Sequence, residues 1–223
     1  YRDMYAQLAA RWVASGCFVH NISIMAHHRQ AMDAFHTLGF GMINIDAIRD
    51  FSPAPDSPDG VEIRRAGLRD LDAVVSLETK LGRHLASSAA FLPMLPDPGR
   101  RRSVEEQLSN SDEPTWVASH EGATVGFVAI ESTGRGPVLA RSDDGIMSLV
   151  AAFVEPETRS LGVGRALLNI ALEWGRAAEY GVCVVDFESA NIEGTRFWLG
   201  SGFRPVIYSL SRRLDDRIAW ATE

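Results

Sequence analysis

The stretch FVEPETRSLGVGRALL, residues 153–168, constrains the chain more than any other. An apolar run stops at Glu155-Pro156, Gly162 and Gly164 follow beside Arg159 and Arg165, and apolar residues then recur at Leu167, Ile170, Ala171, Trp174 and Ala178. Proline cannot donate to a sheet ladder, so it ends a strand. The three-and-four spacing predicts a helix running to about Tyr180 and stopped by Gly181. Glycine at the head of a helix costs about 1 kcal/mol against alanine, so a packing or binding reason is expected. A strand, a loop of bare amides and a helix N-terminus together receive a phosphate, and a Cβ at either glycine is expected to stand where the anion's oxygens come. A Walker loop needs Gly-Lys-Ser/Thr, which is absent, and a dinucleotide fingerprint needs a small residue where Leu167 stands.

The rest of the chain supplies the elements around this loop. "VEIRRA" reads as a strand, Leu68 to Leu81 as a helix, and Ser103 to Leu108 as a short second helix opened by a Ser103-x-x-Glu106 capping box. On that reading Arg100, Arg101 and Arg102 form a solvated loop ahead of the box. "TWVASH" and "TVGFVAIES", joined by "EGA", read as a hairpin, "IMSLVAAFV" as a longer strand and "VCVVDF" as a buried one. A helix over Asn191 to Leu199 and a last strand, "FRPVIYSLSRRL", complete the order. Between Phe51 and Gly60, "FSPAPDSPDG" is too rich in proline and aspartate for a buried element and reads as a linker.

Residues 1–50 echo the end of the chain. Placing Gly39-Phe40 over Gly202-Phe203 sets Ile43 on Val206, Ile45 on Tyr208, Arg49 on Arg212 and Phe51 on Leu214. Upstream, "LAARWVASGCFV" resembles "IALEWGRAAEYGVCVV", with a helix-to-strand spacing that differs by three residues. The first fifty residues therefore read as an incomplete copy of the later unit, with a packing role and no glycine loop of their own. Residues upstream of Tyr1 are expected to have been lost, cleaved or left out.

At 223 residues and 46% hydrophobic, the chain has material for an ample core. A net charge of −7 argues against nucleic acid, because a duplex binder needs a basic face to displace counterions. No apolar run is long enough for a membrane span and no secretory leader opens the chain, so a cytoplasmic setting is expected. Its cations are almost all arginine, Lys80 excepted, which suggests a GC-rich bacterial genome. Cys17 and Cys183 sit in apolar runs and are expected as buried strand thiols. His27, His28 and His36 fit no ligand spacing, so no metal site is expected.

Arg159-Ser160-Leu161-Gly162-Val163-Gly164 resembles the pyrophosphate signature Arg/Gln-x-x-Gly-x-Gly/Ala of the GNAT superfamily of N-acetyltransferases. A second family pattern, Asn, an aromatic pair and Gly-Phe, stands at Asn191, Phe197-Trp198 and Gly202-Phe203, and the order of elements from Val61 to about Leu214 matches. The resemblance implies a mixed, mostly antiparallel twisted sheet flanked by helices at residues 61–223, preceded by the partial unit at 1–50 and the linker at 51–60. It implies acetyl-CoA as donor and direct transfer of the acetyl group to a primary amine in a ternary complex. The backbone of Ala152, Phe153 and Val154, at a bulged strand end, would pair with the pantetheine arm. Amides from Arg159 through Ser160, Leu161, Gly162, Val163 and Gly164 to Arg165 would hold the pyrophosphate, with Asn191 and Trp198 against the cofactor. Glu188 is the candidate base, Glu155 the second.

Many relatives carry an acidic tyrosine where this chain has Trp198, whose N–H is no usable acid. Tyr208, water, or binding without turnover remain open at this point. "ASSAAFLPMLP" would wall the acceptor site with Phe91, Met94 and Leu95. The acceptor, small molecule or peptide, is unspecified, as is a homodimer. A non-catalytic acetyl-CoA-binding module and transfer of a longer acyl group are the alternatives.

Overall fold

The computed structural model describes residues 1–53, 61–132 and 145–222. The first segment forms α1 (Arg2–Ala14), β1 (Val19–Met25), α2 (Arg29–Thr37) and β2 (Gly41–Arg49). The second forms β3 (Glu62–Arg65), α3 (Leu71–Ser87), α4 (Arg100–Ser109), β4 (Thr115–His120) and β5 (Ala123–Glu131). The third holds β6 (Ile146–Val154), α5 (Val163–Ala177), β7 (Val182–Glu188), α6 (Ile192–Gly200) and β8 (Arg204–Arg213). Most of the expected linker, residues 54–60, lies outside the described residues.

All eight strands share one sheet, in the order β1-β8-β2-β7-β6-β5-β4-β3. Every pairing is antiparallel except β6 with β7. The β4–β5 hairpin turns through Glu121 and Gly122, both at positive φ (51° and 80°), the backbone that a tight right-twisting hairpin requires. One face of the sheet is covered by α5, whose Leu167, Leu168, Ala171 and Leu172 are buried against β4–β7. On the opposite face α3 and α4 bury Val74, Leu77 and Val104 against Phe127 and Phe153.

Residues 1–50 and the chain's last part are related by a constant offset. β1, α2 and β2 begin 163 residues before β7, α6 and β8, as Val19 does before Val182. The ladder between β2 and β8 maps onto itself under this offset: Gly41–Ser211 becomes Ile48–Arg204, Asn44–Ser209 becomes Asp46–Ile207, and Ile45–Tyr208 returns itself. An internal two-fold axis thus passes beside Ile45 and Tyr208. β8 sits between β1 and β2, and β2 sits between β8 and β7, so each helix–strand pair lends its last strand to the other.

Side chains repeat the exchange. Arg49, buried, donates to the carbonyls of Ser201 and Ser52 and lies 5.6 Å from the Phe203 ring centre. Its counterpart Arg212 lies 5.8 Å from the Tyr5 ring centre and donates to Tyr5 Oη at 3.3 Å. Gly39 and Gly202, at φ 84° and 90°, make the two equivalent turns.

Several expectations change here. The three-residue difference in helix-to-strand spacing vanishes, because it came from matching Cys17 with Cys183. The buried counterpart of Cys183 is His20, hydrogen-bonded to Tyr5 Oη at 2.8 Å, whereas Cys17 lies exposed ahead of β1. α4 begins at Arg100 with Gly99 as its cap, so Ser103 lies inside the helix and no capping box forms. Arg100, Arg101 and Arg102 are in its first turn, paired with Glu78, Asp72 and Glu106. α5 ends at Ala177, and Glu179, at φ 59°, makes the turn expected of Gly181. Among the described residues no helix is long and apolar enough to cross a membrane.

Candidate active site

The parallel ladder between β6 and β7 covers only Ile146–Val182 to Leu149–Val185. Beyond it β6 bulges: Ala129 pairs with Ala151 but Ile130 pairs with Leu149, leaving Val150 extra. A bulge bends its strand and sharpens the local twist. After it, Ala152 and Val154 pack toward α5 while Val150, Ala151 and Phe153 pack toward α3. β6 stays paired with β5 to Val154 but leaves β7, and a groove of about 580 Å³ opens along the gap.

The N-terminus of α5 faces this groove. Gly162 holds φ 76°, the left-handed region in which a side chain is strained. No side chain caps the helix there, whereas Asn191 Oδ1 accepts from Gly194 N at 3.1 Å and caps α6. Among the described side chains the first amides of α5 therefore find no partner, and they stand at the positive end of a helix dipole. Gly164 also has a packing reason: a Cβ there would meet the Phe197 ring at 3.1 Å. Its missing side chain lets α6 close on α5, while Gly162 is the position demanded by backbone conformation.

The structure brings nine of the sequence-predicted cofactor residues together along the groove: Ala152, Phe153, Val154, Arg159, Gly162, Gly164, Arg165, Asn191 and Trp198. Val163 is buried in the core and Leu161 is 39% exposed outside the lining. Trp198 packs edge-on to Phe197 and Phe203, at 4.8 and 5.4 Å between ring centres. Sequence reasoning missed His84 on α3 and Glu193, Gly194 and Arg196 on α6, all of which line the groove. The signal for the last three was their place in the turns following the Asn191 cap. Nothing local marks His84.

The candidate catalytic residues stand apart from that lining. Glu188 ends β7, in the stretch that has left β6, on the sheet face opposite Phe187. Burial, reinforced by Asp186, raises its pKa above the ordinary carboxylate value. Asp46 on β2, directly across from Asp186, is raised for the same two reasons. Asn44 lies across from Glu188, its Nδ2 3.5 Å from Asp186 Oδ2 and its Oδ1 buried without a partner. Residues 41–49 thus supply Asp46, one of three carboxylates in an acidic patch with Asp186 and Glu188. Glu155 is ion-paired with Lys80. Tyr208 lies on the internal two-fold axis beside β1 and β2, away from the groove lining. Phe91 and Leu95 are 74% and 78% exposed, and Met94 packs near Gly82, so the expected apolar wall does not reach the groove lining.

Comparison with known proteins agrees with this geometry. The model of the Acetyltransferase (GNAT) family matches residues 84–203. An uncharacterized N-acetyltransferase of Archaeoglobus fulgidus is 30% identical over 148 residues, which are 65% of this chain and 93% of that protein. Among solved structures, the aminoglycoside N-acetyltransferase AAC(6')-Iy, in complex with a bisubstrate analog, CoA-S-monomethyl-acetylneamine, superposes with a TM-score of 0.56. It is 20% identical, over 70% of this chain and 95% of that one. A functionally unknown conserved protein from Staphylococcus epidermidis, 14% identical with a TM-score of 0.51, covers 96% of this chain and 79% of its own. With the family model spanning more than half of its length and its sheet splayed at the glycine loop, the chain belongs to the acetyltransferase (GNAT) family, whose members are acetyl-CoA-dependent N-acetyltransferases.

Proposed function

We propose that the chain moves an acetyl group from acetyl-CoA to a primary amine by direct transfer. The observation that carries this reading is the uncapped, glycine-led N-terminus of α5 opening onto the gap between β6 and β7. Uncapped amides suit a diphosphate, and the unpaired side of Ala152–Val154 suits an extended amide-bearing arm. When bound, acetyl-CoA supplies the thioester whose carbonyl carbon the neutral amine attacks, forming the amide and releasing the CoA thiol.

The chain's own residues orient and deprotonate. Of the two candidate amides, Phe153 N–H faces β5, as Glu155 N–H does in donating to Val125 O, so Val154 N–H on the other edge of β6 is the one to donate toward the developing oxyanion. Glu188 takes the proton from the ammonium, directly or through water, and its raised pKa makes it a stronger base than an exposed carboxylate. The acidic patch of Asp46, Asp186 and Glu188 favours a cationic acceptor, and the acceptor portion of the analog bound by AAC(6')-Iy supports a small-molecule amine. Trp198 leaves the thiolate to take its proton from water, because Tyr208 is away from the groove lining.

Thiol release with acetyl-CoA and a panel of amines tests the reaction. Tight CoA binding with no turnover on any amine would favour a binding module instead, and faster release from longer thioesters would favour a longer acyl group. Glu188→Gln should lower kcat/KM by about 100-fold. A base must be ionised to act, so wild-type activity falls as pH drops through the raised Glu188 pKa, and this acid limb should vanish in the variant. Loss of less than about 3-fold, with the limb intact, would remove Glu188 from the role.

Residues 1–50 are, in the same reading, the C-terminal half of a second, degenerate unit, with the domain boundary near 51–60. The constant offset and the self-mapping ladder support it, as does the exposed stripe on α1. Met4 and Leu8 are 51% and 38% exposed, whereas their counterparts Leu167 and Ala171 are buried at 2% and 0% beneath β4–β6. α1 has no such layer over it among the described residues.

A further inference from the structure

Three side chains from separate elements meet across the groove. Arg159, in the turn before α5, donates through Nε to the Val154 carbonyl at 3.1 Å and through Nη1 to Glu193 Oε2. Its guanidinium lies 5.6 Å from the centre of the Phe153 ring. Glu193, in the first turn of α6, also lies 3.6 Å from His84 Nε2 on α3, and the His84 ring meets Phe153 edge-on at 6.3 Å. All of these residues line the groove. Arg159 is thus drawn along the strand edge that an extended ligand would need, and its charge is neutralised by a carboxylate of the protein itself.

We propose that Glu193 is an internal competitor of the cofactor, and the proposal rests on the acetyl-CoA reading above. The Glu193 carboxylate holds Arg159 across the gap, where Arg159 also occupies Val154 O on the side of β6 that has lost its neighbouring strand. A diphosphate arriving at the α5 amides competes with Glu193 for the guanidinium, and an arm lying along β6 needs the carbonyl that Arg159 Nε holds. Glu193 therefore weakens cofactor affinity by holding Arg159 on the Val154 carbonyl. At 62% exposure its pair with Arg159 is largely solvated, so the effect is modest.

Calorimetric titration of CoA into four proteins tests this: wild type, Glu193→Gln, Arg159→Gln and the double variant. Glu193→Gln should tighten the CoA Kd by about 3- to 10-fold. If Glu193 acts through Arg159, the same substitution in the Arg159→Gln background should change Kd by less than about 2-fold. Equal tightening in both backgrounds would mean plain repulsion between Glu193 and the phosphates and would overturn the proposal. So would unchanged or weaker binding in Glu193→Gln, with its thermal unfolding matching wild type. If the wild-type chain bound no CoA, the acetyl-CoA reading itself would fail, an outcome distinct from a Kd that ignores Glu193.

Discussion

Gly162→Val should abolish measurable CoA binding while leaving the chain folded. At φ 76° a β-branched side chain is a conformational outlier, and the left-handed backbone costs a non-glycine residue about 1–2 kcal/mol. That cost alone leaves a protein of this size folded. Affinity has no such reserve. The loop relieves the strain by rotating residue 162 toward negative φ, which turns the following amides of α5 away from the groove. Each lost hydrogen bond to a charged group is worth about 1.5–3 kcal/mol, so two of them amount to roughly 100-fold or more in Kd. Gly162→Asn is the matched control, because asparagine tolerates the left-handed region and should retain most of the affinity. Calorimetry with CoA and a thermal melt on each variant separate binding from folding. A valine variant that binds CoA within about 3-fold of wild type would show that the glycine loop does not hold the diphosphate.

The second large effect is expected from removing residues 1–60. A chain starting at Val61 keeps every residue of the groove lining, yet it loses β2 from between β7 and β8. Both ladders of β2 disappear, β8 loses β1 as well, and the edge of β7 stands open. Ile45, Ala47 and Phe51 leave the core, and Gly175 loses the Phe51 ring that lies against it. An open apolar edge is a template for aggregation. The shortened chain should be insoluble or should lack a cooperative melt, and CoA binding should be lost with the fold. A monomeric, cooperatively folded 61–223 that binds CoA would show that the family domain is autonomous and that residues 1–50 are an accessory.

The contrast between these two cases shows what the sequence made legible. The Gly162 loop was readable because its requirements are local: a proline stop, two glycines and an apolar period within sixteen residues. The Gly39/Gly202 correspondence was readable for the same reason, since a left-handed turn followed by an apolar ring leaves a Gly-Phe pair behind. Strand order was not readable. No local property of Ile43 or Ile45 says that β2 inserts beside β7, because that choice is made by partners more than a hundred residues away. The upstream alignment slipped because cysteine and histidine fill the same core position, at Cys183 and His20, through different chemistry. The bulge at Val150 lies in an unbroken apolar run and carries no composition signal. His84 carries no local signal, because its place beside Glu193 and Phe153 exists only after the sheet has closed. The Phe197 ring that lies against Gly164 belongs to another helix, and sequence spacing cannot place it there.

The strand exchange about Ile45 and Tyr208 also bears on how the chain can be divided. With β8 held between β1 and β2, and β2 between β8 and β7, neither segment can be removed without opening an edge of the other. Residues 1–50 are then tied to the rest of the chain by the weave itself, through Arg49, whose guanidinium anchors the turn after α6, while the exposed Met4 and Leu8 take no part in it.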